Sequence, residues 1–288
     1  MAKATQFGAA ILSALVVLAA VGGTAFAGVL DEVRSRGSLR IAYREDAPPF
    51  SYKSSQSPAP LGFMVDLCRA VAEGIGRQLG PAELKVEYVP VTSADRFEAI
   101  TGGKADLLCE ATTQTLKRRE SMSFSVPTFV DGASFLIRPS GPKDLKSLEG
   151  NKVGVLVNTT TETELRASLQ AGKINAEVVP VKNHQEGFDS VKNGSVAAYF
   201  ADRGILAYML MNDKSQVNLL LADTFLSVEP YALAMRRGDE DFRLAVDRAL
   251  SQIYRSGMIR KIFAAAFGAS TQPSPALLGL YVTAALPP

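Results

Sequence analysis

The sequence predicts a two-lobed α/β protein, on three observations: its length, a regular alternation of strand-like and helix-like segments, and a pattern that occurs twice. The chain has 288 residues, long for one compact domain and comfortable for two. Its apolar fraction of 47% is ordinary for a globular chain, so disorder is expected only at the ends.

Residues 39–43 read as a buried strand, 63–79 as a helix and 84–89 as a second strand. A short helix over 93–100 and a strand over 106–109 complete a β-α-β-α-β unit. The order then recurs as strand 152–156, helix 161–169, strand 176–181, helix 185–191 and strand 196–200. The letters correspond as well: VPVTSADRFEAITGGKADLLCEA and VPVKNHQEGFDSVKNGSVAAYFAD both run from Val-Pro-Val through a helix and a Gly-containing turn into a strand. Alternating elements imply mainly parallel sheets, whose ligands sit outside the carboxyl ends of the strands, so two such lobes facing each other make a cleft. Strand-like runs at 134–138 and 229–236 are read as crossings between the lobes, and hence as a hinge that suits closure around a ligand. This divides the chain into lobe one (28–133 and 230–268), lobe two (134–229) and a C-terminal tail (269–288) rich in Pro, Ser and Ala. A long helix over 241–257, continuing to 267, carries apolar residues at Phe242, Ala245, Val246, Ala249, Leu250 and Ile253, the spacing of one packed face.

The first 27 residues read as a signal peptide: Lys3 supplies a positive region, 9–21 an apolar run, and Ala25-Phe26-Ala27 the small-x-small cleavage pattern, so the mature chain is expected to start at Gly28. The competing reading is a retained anchor, since no charge lies between Lys3 and Asp31, but Gly22 and Gly23 interrupt the apolar run. Gly28 is not a cysteine, so a lipid anchor is not indicated. Removing the segment takes away Lys3 and leaves 30 basic against 29 acidic side chains, a balance that gives nucleic-acid binding little support. Cys68 and Cys109, alone in an exported chain, suggest one disulfide rather than a metal site. With His184 the single histidine, a multi-histidine zinc site cannot be built, and a Ser-His-Asp triad would have to use it. GxGxxG, Walker-type and GxSxG patterns are missing too, so no cofactor is expected.

The segments YREDAPPFSY, LGFMVDLCRAVAE, VPVTSADRFEAITGGKADLLCEATTQTLKRRE, FVDGASFLIR, KVGVLVNTTTETEL, NHQEGF and AYFADRGIL resemble the periplasmic amino-acid-binding proteins known as family 3 solute-binding proteins. Within that family they are most similar to the glutamate/aspartate-binding branch, and the likeness covers roughly 28–267. It implies the two-lobed periplasmic-binding-protein fold, a periplasmic monomer, and delivery of a free amino acid to the membrane permease subunits of an ABC transporter. It also implies roles. Arg118 would clamp the ligand α-carboxylate, helped by Thr113, while Thr159 and Thr160 would offer helix-start N–H groups to the same carboxylate. Asp202 would pair with the α-ammonium. Arg44, Ser93, Arg96 and His184 would meet a side-chain carboxylate, and a His184 imidazolium donating to it would make affinity greatest at low pH.

Each role has a purely structural counterpart. Arginines are commonly surface groups, Asp202 could cap a helix over 203–211, Thr159 to Thr161 could be only a capping segment with Glu162 or Glu164, and His184 could be a satisfied structural residue. The chain also departs from the family pattern. Glu110-Ala111 stands where Gly-Ser or Gly-Ala is usual, bringing an acid towards the site, and Val157-Asn158 stands where Ser-Gly is common. The alternatives are a binder of another polar amino acid such as glutamine, and a dehydratase-like periplasmic enzyme for which Glu110 and His184 are the only candidate acid–base groups.

Overall fold

A computed structural model describes residues 28–80 and 83–288, so the expected signal segment lies outside the described residues. Two five-stranded sheets have the same layout. The first orders its strands Lys85–Val91, Ser38–Arg44, Leu107–Leu108, Ala234–Arg236 and Met122–Phe124. The second runs Glu177–Val181, Lys152–Leu156, Ala198–Asp202, Ala133–Ile137 and Leu220–Leu221. In each, three parallel strands are followed by two joined through antiparallel pairing. The register puts Ile41 opposite Tyr88 and Leu107 in one sheet, and Val155 opposite Pro180 and Phe200 in the other. This is the two-lobed α/β fold.

The run expected at 134–138 as a crossing belongs elsewhere. All five residues of Ala133–Ile137 are buried, and the strand pairs on both sides within the second sheet, which is why its sequence is apolar throughout. The crossing is made instead by Phe129–Asp131, antiparallel to Glu229–Tyr231. The run at 229–236 accordingly splits, its second half, Ala234–Arg236, joining the first sheet. Phe50, Phe129 and Tyr231 pack at this crossing, with Phe50 ring centroids 5.0 and 5.4 Å from the other two.

The first lobe's larger core lies between its sheet and the helices Phe63–Leu79, Glu240–Arg255 and Met258–Phe267. Each large apolar side chain fully buried there contributes about 1.5–3 kcal/mol. The long C-terminal helix expected to continue to 267 is broken at Gly257, whose φ of 74° lies in the left-handed region. The tail is helical too: Ser274 caps the Pro275–Ala284 helix through the Leu277 amide, and Leu277, Tyr281 and Ala284 are buried in the same core. Its Pro, Ser and Ala content hid a capped helix start followed by an apolar stretch. The disulfide joins Cys68, on the Phe63–Leu79 helix, to Cys109, with 6.2 Å between their Cα atoms. Among the described residues, no helix is long and apolar enough to cross a membrane.

Candidate functional site

The carboxyl ends of the parallel strands in both sheets meet at one cavity. Arg44 ends the Ser38–Arg44 strand, Glu110 and Ala111 follow Leu107–Leu108, Leu156 ends Lys152–Leu156, and Asp202 ends Ala198–Asp202; all of them line it. Of the nine ligand-binding positions read from the sequence, Arg44, Arg96, Arg118, Thr159, Thr160, His184 and Asp202 line this cavity. Ser93 and Thr113 stand behind it, their backbone carbonyls accepting hydrogen bonds from Arg96 Nη1 and Arg118 Nη1.

Lobe one supplies three guanidiniums, each in a different state. Arg44, 3% exposed, donates from Nε to Asp46 Oδ1 at 2.8 Å and forms an ion pair with it through Nη2 at 2.6 Å. Burial would raise the Asp46 pKa, but Arg44 and His184 outweigh it and hold the carboxyl below its usual range. Arg96 opens the Arg96–Thr101 helix, and its Nη2 reaches across the cleft to the carbonyl of Asn158 at 2.8 Å. Its Nε stands 3.4 Å from Glu110 Oε1 yet makes no hydrogen bond, although buried. Burial pushes Arg96 down to about 10 against the attraction of Glu110, leaving it charged at neutral pH. Arg118, packed with Arg96 on the Phe97 ring at 5.1 and 4.6 Å, makes no ion pair among the described residues; burial lowers its pKa, opposed by Glu110 and Glu229.

Lobe two supplies the complement. Thr159 is a working N-cap: its hydroxyl accepts from the Glu162 amide at 3.1 Å and donates to the Leu156 carbonyl. The capping alternative for Thr159 is therefore realised, and the first-turn amides of Thr160–Gly172, which lack intrahelical acceptors, open the helix at the cavity. The capping alternative for Asp202 is not realised, because its side chain makes no cap bond to the Arg203–Asn212 helix. Its carboxylate instead accepts from Tyr231 Oη at 2.6 Å and Thr161 Oγ1 at 3.0 Å, with no ion-pair partner among the described residues. Burial, with Glu229 and Asp131 nearby, raises its pKa well above the carboxylate range.

His184 begins the His184–Asn193 helix, with Nδ1 2.8 Å from Tyr199 Oη and its backbone N–H donating to Asp46 Oδ2 at 3.2 Å. Burial lowers its pKa to about 4, against Asp46 and reinforced by Arg44. Without ligand the ring is therefore neutral at physiological pH and already bonded on one side, so an imidazolium donor would have to form as the ligand binds.

Sequence reasoning did not single out several groups that complete the site. Glu229, in the crossing strand and 1% exposed, accepts from Thr160 Oγ1 at 2.7 Å, from Ser227 Oγ at 2.8 Å and from Thr113 Oγ1. Asp131 accepts from the amides of Gly132 and Gly204, both at 2.9 Å; burial raises its pKa to about 6 despite these bonds. A side chain at Gly204 would meet Asp131 and Phe50 within 3.0 Å, so glycine is required there. Asp46 was legible as the same-face strand neighbour of Arg44; Asp131 and Glu229 carried no local signal, because only the crossing brings them together. Asn158 sits at φ 62°, which asparagine tolerates better than most side chains, so the change from the usual glycine keeps the turn. Contacts of Arg96 with Asn158, of Thr113 with Thr160 (3.2 Å) and of Asp46 with His184 tie the lobes across a closed cleft.

The sequence profile of the bacterial extracellular solute-binding proteins, family 3, matches residues 39–269. A Pseudomonas aeruginosa L-glutamate/L-aspartate-binding protein is 32% identical over 94% of this chain and 87% of its own length. A glutamate/glutamine/aspartate/asparagine-binding protein, BztA of Rhodobacter capsulatus, is 29% identical over 84% of this chain and 70% of its own. Among solved structures, an ancestral amino acid-binding protein, a precursor of cyclohexadienyl dehydratase, superposes with a TM-score of 0.72 at 29% identity, covering 83% of this chain and 99% of that one. The chain belongs to family 3 of the bacterial extracellular solute-binding proteins, on the branch that holds the glutamate/aspartate-binding relatives.

Proposed function

We propose that this protein captures a free L-amino acid, glutamate or aspartate, in the periplasm after losing residues 1–27, and delivers it as a monomer to the permease subunits of an ABC transporter. One observation carries the reading: a guanidinium and a carboxyl group with no ion-pair partners among the described residues, Arg118 and Asp202, face one cavity from opposite lobes. An α-amino acid carries the matching pair of charges, a carboxylate for Arg118 and the helix start at Thr160, and an ammonium for Asp202. Arg44, Arg96 and His184 line the same cavity and would supply donors for a side-chain carboxylate. The name of the Pseudomonas aeruginosa relative supports the acidic ligand. Closure would turn on the Phe129–Asp131 and Glu229–Tyr231 strands, which lie between the two sheets.

A thermal-shift screen of the common amino acids, followed by calorimetric titration, tests this, because a ligand that binds only the folded state raises the melting temperature. Glutamate and aspartate are expected among the largest shifts. A protein stabilised by no amino acid would refute the reading. The dehydratase-related solved structure motivates one control: the amino acid recovered after incubation should be chemically unchanged.

A further inference from the structure

Glu110 is the acid that the family resemblance does not predict, and the structure turns it inward. It is 2% exposed, lines the cavity, and has Oε1 3.4 Å from Arg96 Nε. We propose that Glu110 is a specificity-determining residue: with Arg96 it forms a donor–acceptor pair that admits the carboxamide side chains of glutamine and asparagine alongside the carboxylates. This rests on the amino-acid-binding reading above, and refines its ligand class.

Arg96 spends Nη1 on the Ser93 carbonyl and Nη2 on the Asn158 carbonyl, so Nε is its one nitrogen without a hydrogen-bond acceptor, in a side chain almost wholly buried. Glu110 Oε1 accepts from the Thr112 hydroxyl, and among the described residues Oε2 accepts from nothing. Arg96 Nε, without an acceptor among the described residues, therefore lies 3.4 Å from a carboxylate whose second oxygen is uncommitted among them, and both side chains line the cavity. A carboxamide answers both, its oxygen accepting from Arg96 Nε and its NH2 donating to Glu110. A carboxylate satisfies only the first and places its charge beside that of Glu110.

Charge counting agrees. Along this wall Arg44 is paired with Asp46, Arg96 with Glu110, and burial keeps His184 neutral without ligand. The two cations are already balanced by two anions, so this wall has no surplus positive charge to reward a ligand anion over an isosteric amide.

Titration of the wild type with glutamate, glutamine, aspartate and asparagine tests this directly. Dissociation constants for glutamate and glutamine are expected within roughly tenfold of each other, a difference of about one decade or less. Glu110→Gln replaces the acceptor by an amide that can donate to a ligand carboxylate, and should shift the ratio towards glutamate by about tenfold or more; Glu110→Ala should weaken glutamine more than glutamate. A wild type that prefers glutamate over glutamine by more than about a hundredfold overturns the proposal whatever the variants do. So does a ratio that Glu110→Gln, shown folded by its melting curve, leaves unmoved. Binding of none of the four amino acids would be failure of the parent reading, which is distinguishable from either result.

Discussion

Glu110 and Asp202 occupy matching places in the two lobes. Each stands at the carboxyl end of the third parallel strand of its sheet, Glu110 two residues beyond it and Asp202 as its last residue, in the corresponding strings ADLLCE and AAYFAD, and each lines the same cavity. Their surroundings differ. Glu110 has a guanidinium 3.4 Å away, whereas among the described residues Asp202 is held by the hydroxyls of Tyr231 and Thr161 alone and sits near two further acids, Asp131 and Glu229. Lobe one balances its strand-end acid internally; lobe two leaves its acid to be balanced by a cation from outside. On the proposed reading the repeated layout would serve two electrostatic tasks, selection of the side chain by Glu110 and capture of the α-ammonium by Asp202.

The sharpest way to break this comparison is to remove the uncompensated charges. Asp202→Ala and Arg118→Ala should abolish measurable binding of every amino acid while the fold persists. Losing one partner of a desolvated ion pair costs about 3–5 kcal/mol, roughly two to four decades in affinity. Glu110→Ala, by contrast, should re-rank ligands and leave binding detectable. Titration of all three variants against the same ligands checks it, and near-wild-type affinity in Asp202→Ala would mean the two acids do not divide the work this way.

The lobes also differ in covalent restraint, since the disulfide closes a sequence separation of 41 residues within lobe one only. Replacing both cysteines by serine should cost about 4 kcal/mol on the chain-entropy account. Denaturant melts of the variant and the parent measure this. Cys109 precedes Glu110, so the variant also asks whether the staple positions that acid; a changed glutamate-to-glutamine ratio at unchanged total affinity would show that it does.

Much of this was legible in advance for physical reasons. The strands 152–156 and 177–181 and the helix 63–79 follow from apolar periodicity, and the second half repeats the first in pattern from its Val-Pro-Val start. The strand at 133–137 was misplaced because a run buried on both faces looks the same in a hinge as in a sheet centre. Arg118 and Asp202 could be named from motifs, but nothing local shows that Glu229 collects hydroxyls from two lobes. Ionisation state was the least legible property, since the neutrality of His184 depends on burial by segments distant in sequence.

A moderate perturbation probes the lobe-two wall. A side chain at Gly187 would fall 2.0 Å from the Tyr199 ring, whose hydroxyl bonds His184 Nδ1. Gly187→Ala should therefore destabilise the protein by about 1–3 kcal/mol, as overpacking does. It should also weaken ligands with polar side chains more than alanine, because it displaces the imidazole while leaving Arg118 and Asp202 in place. Equal losses for glutamate and alanine would place His184 outside the side-chain end.

The smallest expected effect is pH dependence, and its sign separates the two acids most cleanly. In the free protein burial, with Glu229 and Asp131 close by, raises the Asp202 pKa, and Asp131 is raised to about 6. A protonated Asp202 cannot pair with an ammonium, so binding favours its ionised form and releases a proton. Affinity must then rise with pH while the cluster still holds that proton, by at most about tenfold per pH unit for each proton released, and flatten above. The same raised pKa values make the ligand-free fold lose stability as pH climbs from the ordinary carboxyl range through about 6, so the melting-temperature gain from ligand should grow over that interval. His184, held at about 4 without ligand, is neutral in the free protein from about pH 5 to 8 and adds no slope there so long as the ligand leaves its pKa low, and the ligand carboxylates stay ionised. Arg96 and Arg118, which also face the cluster, remain charged. An imidazolium donor would have given the opposite trend, with affinity greatest at low pH. Titrations across this range in two buffers of different ionisation enthalpy count the protons directly. Release with rising affinity, reduced in Asp131→Asn because one neighbouring negative charge is gone, is the expected result; proton uptake with falling affinity would return the pH response to His184 and leave Asp202 ionised before the ligand arrives.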